Sequence, residues 1–180
     1  ADFSYITGLT KFGIEKIPPL VGRGVLVNMA KYFDIISMEG GQGITRKNIQ
    51  EAAKEQNINF KKGDIILFHT GWTDAKLKSS PEEWGSTIPG ITNDAAVYLA
   101  SLQPMAVGAD TWGLGAVPPI AGDKVYYDHV TLIKENGIYI LETMNTGKLA
   151  SDNVSEFMFV LGQPKIKGAV QMIINPVALW

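Results

Sequence analysis

The 180-residue sequence contains no cysteine and only two histidines. The lack of cysteine excludes disulfides, thiolate nucleophiles and cysteine-ligated zinc sites, and is compatible with a reducing compartment. The formal net charge is only −2, which gives no electrostatic reason to expect binding to nucleic acid or to an anionic membrane. No apolar run approaches the ~20 residues that a membrane span requires. We therefore expect a cytoplasmic protein that binds neither nucleic acid nor membrane.

The composition is that of an ordinary globular protein, with 46% hydrophobic and 19% charged residues. A chain of this length predicts one domain around a single substantial core. Apolar runs typical of strands alternate with two clear helical patterns, which indicates an α/β fold. The late strands lie close together with only short helical insertions between them. This spacing favours a second, smaller sheet that is partly antiparallel.

The predicted elements follow from apolar periodicity and from turn residues. Thr45 is a good N-cap for the first clear helix. In the last helical segment we expect Leu132 and Ile133 to face the core, and Asn136-Gly137 to end it. The predicted strands lie at 25–30, 65–70, 105–109, 138–142, 156–161 and 169–174, and the predicted helices at about 46–57, 92–102 and 130–136.

His129 and Glu142 are the strongest candidates for chemistry. Seven helical residues rise roughly 10 Å and five extended residues span roughly 15 Å, so a short helix and the strand that follows it have similar reach. The start of the helix, at His129, can therefore approach the end of the strand, at Glu142. Such a pair can share a divalent metal or simply hydrogen-bond. The alternative is a structural histidine and a solvated carboxylate.

Further candidates follow two buried strands, at the end of a sheet where ligands tend to bind. They are His69 and Trp72 after the strand at 65–70, and Asp110 and Trp112 after the strand at 105–109. His69 could line a substrate pocket or complete a zinc site with His129 and Glu142, or it could only hydrogen-bond a loop. Asp110 could orient a histidine or cap its own turn. The tryptophans fit a core as well as a pocket, and no serine has the setting of a nucleophile.

Several segments resemble, in order, those of the metal-dependent cyclase family, the family of bacterial kynurenine formamidase and isatin hydrolase. The match covers nearly all of the chain, and it rests on the order and spacing of the segments more than on any one of them. The matching segments are RGVLVN at 23–28, KGDIILFHTGW at 62–72, PGI at 89–91, GADTW at 108–112, His129 with GIYILE at 137–142, and PKIKGA at 164–169.

The resemblance implies a three-layer swivelling β/β/α fold, with a mixed sheet and a smaller antiparallel sheet, in a homodimer or homotetramer. It also implies Zn²⁺ or Mn²⁺, bound by a His-x-x-x-His-x-Asp motif together with the residues that match His129 and Glu142. The implied reaction is attack by metal-activated water on the carbonyl of a small amide or ester, of the arylformamide or cyclic-amide type.

The chain departs from the family at its amino-terminal side. Only 22 residues precede Arg23 and none is a histidine, so the His-x-x-x-His-x-Asp motif is absent, and Asn28 replaces an aspartate. Together with the start at Ala1 without methionine, this predicts one cyclase-like domain over 1–180 that is the carboxyl-terminal portion of a hydrolase. We expect this chain alone to hydrolyse arylformamides poorly or not at all. The alternative is a non-catalytic, truncated relative that serves as a small-molecule-binding or structural module.

Overall fold

The computed structural model of the protein describes residues 4–180. The segment Ala1–Phe3 lies outside the described residues. The prediction that the sequence starts inside a longer protein rests in part on this segment. The strands are β1 (Ser4–Tyr5), β2 (Gly8–Leu9), β3 (Leu20–Asn28), β4 (Gly43–Ile44), β5 (Ile65–His69), β6 (Gly90–Ile91), β7 (Ala106–Ala109), β8 (Tyr139–Leu141), β9 (Glu156–Leu161) and β10 (Val177–Leu179).

Most of the helices are short, and one segment is a π-helix rather than an α-helix. The α-helices are α1 (Met29–Tyr32), α2 (Arg46–Glu55), α3 (Trp72–Lys76), α4 (Pro81–Ser86), α5 (Asn93–Ser101), α6 (Tyr127–His129) and α7 (Gly147–Ser151). A 3₁₀-helix spans Ile14–Lys16, and the π-helix spans Val130–Glu135. Among the helices of residues 4–180, none combines the length and the apolar character that crossing a membrane requires.

The chain forms two compact units, and the larger one comprises Arg23–Glu156. Its central feature is a parallel sheet in the order β3-β5-β7-β8. Asn28 pairs with His69, Phe68 with Ala109, and Gly108 with Leu141. Because the four strands are parallel and end in register, the residues that follow them meet at one edge of the sheet.

The core of the larger unit follows the apolar pattern of its sequence. Every residue of β5 and β7 is buried, as expected for strands that are covered on both faces. Helix α2 buries a stripe of small and branched residues, Ile49, Ala52 and Ala53. It begins as predicted at Thr45, whose side chain accepts a hydrogen bond from the amide of Asn48 and forms a capping box.

The smaller unit comprises residues 4–22 and 157–180 and contains two antiparallel pairs, β1 with β2 and β9 with β10. Strand β9 begins at Glu156, the last residue of the larger unit. It buries Phe157, Phe159 and Leu161 and leaves the intervening side chains more exposed, the alternation of a strand with one covered face. The predicted antiparallel pairing of late strands is therefore present between β9 and β10. The predicted second sheet of the late strands is wrong, because β8 pairs in parallel with β7. The prediction of a single domain over 1–180 stays a prediction.

Three predicted features differ from the structure. The first predicted strand covers 25–30, but the strand in the structure ends at Asn28, because the side chain of Asn28 accepts a hydrogen bond from the amide of Lys31 and caps α1. Ile133 is 49% exposed although Leu132 is buried, because the wider π-helical turn moves successive side chains off the α-helical stripe.

The predicted last strand is wrong. Residues 169–174 lie within the described part of the chain and form no strand, and the chain instead ends in β10. Val170 is 71% exposed and Ile173 is 93% exposed. Strand propensity describes how well side chains fit a pleated, half-buried surface, so an apolar run without such a surface stays irregular.

Candidate metal and substrate site

His129 and Glu142 meet at the carboxyl edge of the parallel sheet. Glu142 follows the last residue of β8, and His129 ends α6. The two side chains are close, with 3.4 Å between Nε2 of His129 and Oε1 of Glu142. The imidazole is 35% exposed and the carboxylate 29% exposed, so both remain accessible to a ligand. The structure thus brings together the two residues that the helix–strand spacing predicted to be neighbours.

Asp128 holds the other nitrogen of the His129 ring. Nδ1 of His129 donates to Oδ2 of Asp128 at 3.1 Å, and the Asp128 side chain is only 7% exposed. This contact fixes the ring and directs Nε2 at Glu142. The hydrogen bond to Asp128, and then the carboxylate of Glu142, raise the pKa of His129 to about 10, and partial burial opposes them. In the absence of metal, the His129 ring, which lies between the Asp128 and Glu142 carboxylates, is therefore protonated at neutral pH.

We expect the His129 ring, in the metal-free protein, to titrate near pH 10 rather than near its ordinary 6.5. Because the pKa in the folded protein lies above that of the unfolded chain, the stabilisation by this proton is complete below pH 6.5 and is lost as the pH rises towards 10. NMR titration of the two histidines in the presence of a chelator measures this directly. A His129 ring that titrates near 6.5 would contradict the geometry.

The sequence analysis did not find Asp128 or Tyr126. Tyr126 lies in the left-handed region, with φ of 56°, and its ring packs edge-on against the His129 ring at a centroid distance of 5.8 Å. A bulky residue in this conformation is uncommon, and such strain clusters at functional sites. The available signal was the dipeptide Asp128-His129, which places a carboxylate next to the imidazole. Nothing in the sequence indicated the backbone conformation of Tyr126.

His69 and Asp110 lie together in a buried polar cluster at the same edge of the sheet. Nδ1 of His69 is 2.8 Å from Oγ1 of Thr146 and 3.7 Å from Oδ2 of Asp110. Oδ1 of Asp110 accepts from both the amide and the hydroxyl of Thr70. Burial raises the pKa of Asp110, and the neighbouring His69 opposes this rise.

The two predicted tryptophans differ in exposure. Trp72 is fully buried, whereas Trp112 is partly exposed. Their indole nitrogens both donate to the carbonyl of Trp84, at 3.5 and 2.7 Å. The Trp84 indole donates to the hydroxyl of Thr73 at 2.9 Å, and this hydroxyl donates to the carbonyl of Asp110. The tryptophans thus form a support that joins α3 and α4 to the end of β7.

An open cleft of about 450 Å³ lies beside the His129 ring. It is lined by Trp112, Lys124, Tyr126, Asp128 and His129, together with residues 113–117. Of the predicted pocket residues, Trp112 therefore lines this cleft, whereas His69, Trp72 and Asp110 do not. The assignment of those three to a substrate pocket stays a prediction.

The donors present suit part of a metal site. Within residues 4–180, no group of three or more histidine, aspartate, glutamate or cysteine side chains is arranged to hold a metal ion. His129 and Glu142 nevertheless offer one imidazole nitrogen and one carboxylate, ligands that suit Zn²⁺ and Mn²⁺. The hydrogen bond from His129 to Asp128 is the outer contact that histidine ligands usually make. His129 and Glu142 therefore fit a divalent metal as two of the several ligands that a complete site needs.

The family model described as "Putative cyclase" matches residues 3–116, well over half of the chain. The chain therefore belongs to the cyclase family. The matched region contains His69, Trp72, Asp110 and Trp112 and ends before His129 and Glu142. The resemblance seen in the sequence is thus confirmed. No curated protein matches the chain.

Solved structures carry the same fold. A structure described as a novel cyclase is 28% identical, has a TM-score of 0.84, and aligns over 97% of this chain and 58% of its own. Isatin hydrolase A from Labrenzia aggregata, bound to benzyl benzoate, is 18% identical with a TM-score of 0.70, over 97% of this chain and 69% of its own. A structure described as a potential metal-dependent hydrolase with cyclase activity is 21% identical with a TM-score of 0.67, and it aligns over 97% of this chain and 72% of its own.

These similarities confirm the predicted mixed α/β fold of the cyclase family. The chain spans 58% of the length of the novel cyclase that it matches at 28% identity.

Proposed function

We propose that the intact protein is a metal-dependent hydrolase of a small amide or ester, of the arylformamide or cyclic-amide type. The observation that carries the proposal is the approach of His129 Nε2 to Glu142 Oε1, 3.4 Å apart at the carboxyl edge of the parallel sheet. The membership of the chain in the cyclase family and its similarity to structures described as metal-dependent hydrolases and isatin hydrolases support it.

His129 and Glu142 would hold a divalent ion, Zn²⁺ or Mn²⁺, together with ligands from outside this chain's described residues. When bound, such an ion polarises a carbonyl group and lowers the pKa of water. The chain's own task at this point is to present Nε2 of His129 without its proton. Asp128 favours the tautomer that does this, because its carboxylate accepts a hydrogen bond from the N–H at Nδ1 and leaves the lone pair of Nε2 for the ion.

The cleft beside His129 would bind the substrate. Trp112 and Tyr126 offer aromatic surface to a planar substrate, and Lys124 places a cation at the wall for a charged substituent. Residues 113–117 border the same space. We further propose a cytoplasmic homo-oligomer, a dimer or tetramer, as the working form.

The test is to purify the full product of the gene, measure its mass and its Zn²⁺ and Mn²⁺ content, and assay hydrolysis of an arylformamide and a cyclic amide. We expect turnover that a chelator abolishes. His129→Ala and Glu142→Gln should each lower metal affinity at least about 10- to 100-fold, the loss seen when even an outer partner of a metal ligand is removed. Glu135→Gln changes an exposed glutamate on the π-helix and serves as the matched control.

Two outcomes would count against the proposal. A full-length product that binds neither metal would leave the alternative, a small-molecule-binding module built on the cyclase fold. Robust, chelator-sensitive hydrolysis by the 180-residue chain alone would instead contradict the view that ligands from outside it are needed.

A further inference from the structure

The segment that follows Glu142 turns sharply and is strained. Thr143 has a φ of 53°, in the left-handed region, where a β-branched residue is a genuine outlier. Such a conformation costs of order 1–3 kcal/mol and persists only when neighbouring contacts fix it. The contacts that fix this turn therefore also set the direction in which the side chain of Glu142 leaves the sheet.

Two of these contacts are backbone hydrogen bonds to the end of β7. The amide of Thr143 donates to the carbonyl of Thr111 at 2.7 Å, and the amide of Met144 donates to the carbonyl of Ala109 at 2.9 Å. The Met144 side chain is buried. The first half of the turn is thus attached to β7, but these bonds leave the second half, up to α7, to be held by other contacts.

The third contact is made by side chains and ties the turn to β5. Thr146 is 1% exposed, and its Oγ1 lies 2.8 Å from Nδ1 of His69, the last residue of β5. The amide of Thr146 donates back to the carbonyl of Met144 at 3.0 Å, so Thr146 is joined both to the first half of the turn, through its backbone, and to β5, through its hydroxyl.

His69 is held in turn by Asp110. Oδ2 of Asp110 is buried, has no hydrogen-bond partner among the described residues, and lies 3.7 Å from Nδ1 of His69. Oδ1 of the same carboxylate is fixed by the amide and hydroxyl of Thr70 at 2.9 and 2.7 Å. An orphaned buried carboxylate oxygen facing an imidazole attracts the ring towards it and restricts its rotation.

We propose that His69 and Thr146 are positioning residues that hold the turn after Glu142 and thereby keep the Glu142 carboxylate at the His129 ring. The consequence for metal binding rests on the proposed function, whereas the consequence for the turn does not. This role requires no contact of either residue with a metal or a substrate. The effect of Thr146 reaches Glu142 through the backbone of the three residues between them, 143–145.

The test compares Thr146→Val, which keeps the shape of the side chain and removes the hydroxyl, with Thr146→Ser, which keeps the hydroxyl. Loss of one hydrogen bond should speed amide exchange at Thr143 and Met144 by about 3- to 10-fold in the valine variant. The serine variant should match the wild type. The amide of Leu67, in the centre of β5, reports global stability and should exchange equally in all three proteins.

A second measurement asks whether the hydroxyl acts through Glu142. At pH 7, the ¹³Cδ shift of Glu142 should move in Thr146→Val and stay unchanged in Thr146→Ser. In the full gene product, Thr146→Val should lower Mn²⁺ affinity by about 10-fold, the lower end of the loss seen when a residue that supports a metal ligand is removed. In a protein that already carries Glu142→Gln, Thr146→Val should lower the affinity no further.

The outcomes separate this inference from the proposed function. If the full product binds no metal, the proposed function fails, and the exchange rates and the Glu142 shift still decide the inference. Equal exchange at Thr143 and Met144 in the valine and serine variants would overturn it. So would a Thr146→Val effect on Mn²⁺ affinity that is equally large with and without Glu142, because the hydroxyl would then act elsewhere.

Discussion

Arg23→Ala is expected to lower the free energy of unfolding by about 1 to 3 kcal/mol, the cost of leaving a buried acceptor without its hydrogen-bond partner. Nη1 of Arg23 lies 2.8 Å from Oδ2 of Asp64, whose side chain is only 3% exposed, and also donates to the carbonyl of Asn59 at 3.2 Å. Alanine would leave the Asp64 carboxylate buried with the Lys61 amide as its remaining donor. Urea unfolding at neutral pH measures the loss.

The same arginine provides its own control. Its other partner, Glu156, is 52% exposed and lies 2.7 Å from Nη2 of Arg23. Because exposed pairs contribute about 0–1 kcal/mol, Glu156→Gln should be close to neutral. Equal losses in Arg23→Ala and Glu156→Gln would show that burial of Asp64 does not govern the effect.

The Arg23–Asp64 pair lies far from the candidate site along the strands, so its loss should affect stability and not the site. Asp64 directly precedes β5, and Arg23 lies in the first part of β3, so the pair ties the amino ends of two parallel strands. His129 and Glu142 belong to the opposite, carboxyl edge. We therefore expect Arg23→Ala to lower the folded fraction while the folded molecules keep the His129–Glu142 contact, which the ¹³Cδ shift of Glu142 reports.

The part of the site that depends on strand ends could be predicted from the sequence. Buried apolar runs mark β5 and β7, and parallel strands in register bring the residues that follow them to one edge. This is why the sequence indicates His69 and Asp110 as candidates, and the structure places Glu142, after β8, at the same edge. The approach of His129 to Glu142 followed from the similar reach of a short helix and the strand that returns beside it.

The contacts that depend on loops could not be predicted. Thr146 and His69 are 77 residues apart, and their hydrogen bond exists only because the turn after Glu142 folds back across two strands. The π-helix was interpreted as an α-helix, since its residues fit both, and this placed Ile133 on the wrong face. In each case the local pattern was compatible with two conformations, and packing across the sheet selected one.

Gly108→Ala is expected to combine a large loss of stability with damage to the site. Gly108 pairs with Leu141 in the β7–β8 ladder. A Cβ atom at Gly108 would lie 2.4 Å from the Leu141 carbonyl oxygen, 2.8 Å from the Leu141 Cβ and 3.0 Å from the Leu67 Cδ2. Two of these are backbone or Cβ atoms that cannot rotate away, so β8 must move. Overpacking of this kind costs about 1–3 kcal/mol, and we expect the upper part of that range.

The residue displaced by Gly108→Ala is Leu141, which directly precedes Glu142, so the position of the Glu142 carboxylate should change as stability falls. We expect Gly108→Ala to lower the midpoint of urea unfolding and to shift the ¹³Cδ signal of Glu142, and in the full gene product to weaken Mn²⁺ binding. Gly85→Ala is the matched control, because Gly85 lies in α4 with nothing within 4 Å of an added Cβ. There alanine should be neutral or stabilise by about 0.4–1 kcal/mol. Unchanged stability in Gly108→Ala would mean that β8 moves freely against β7, and the position of Glu142 would then depend on the turn held by His69 and Thr146.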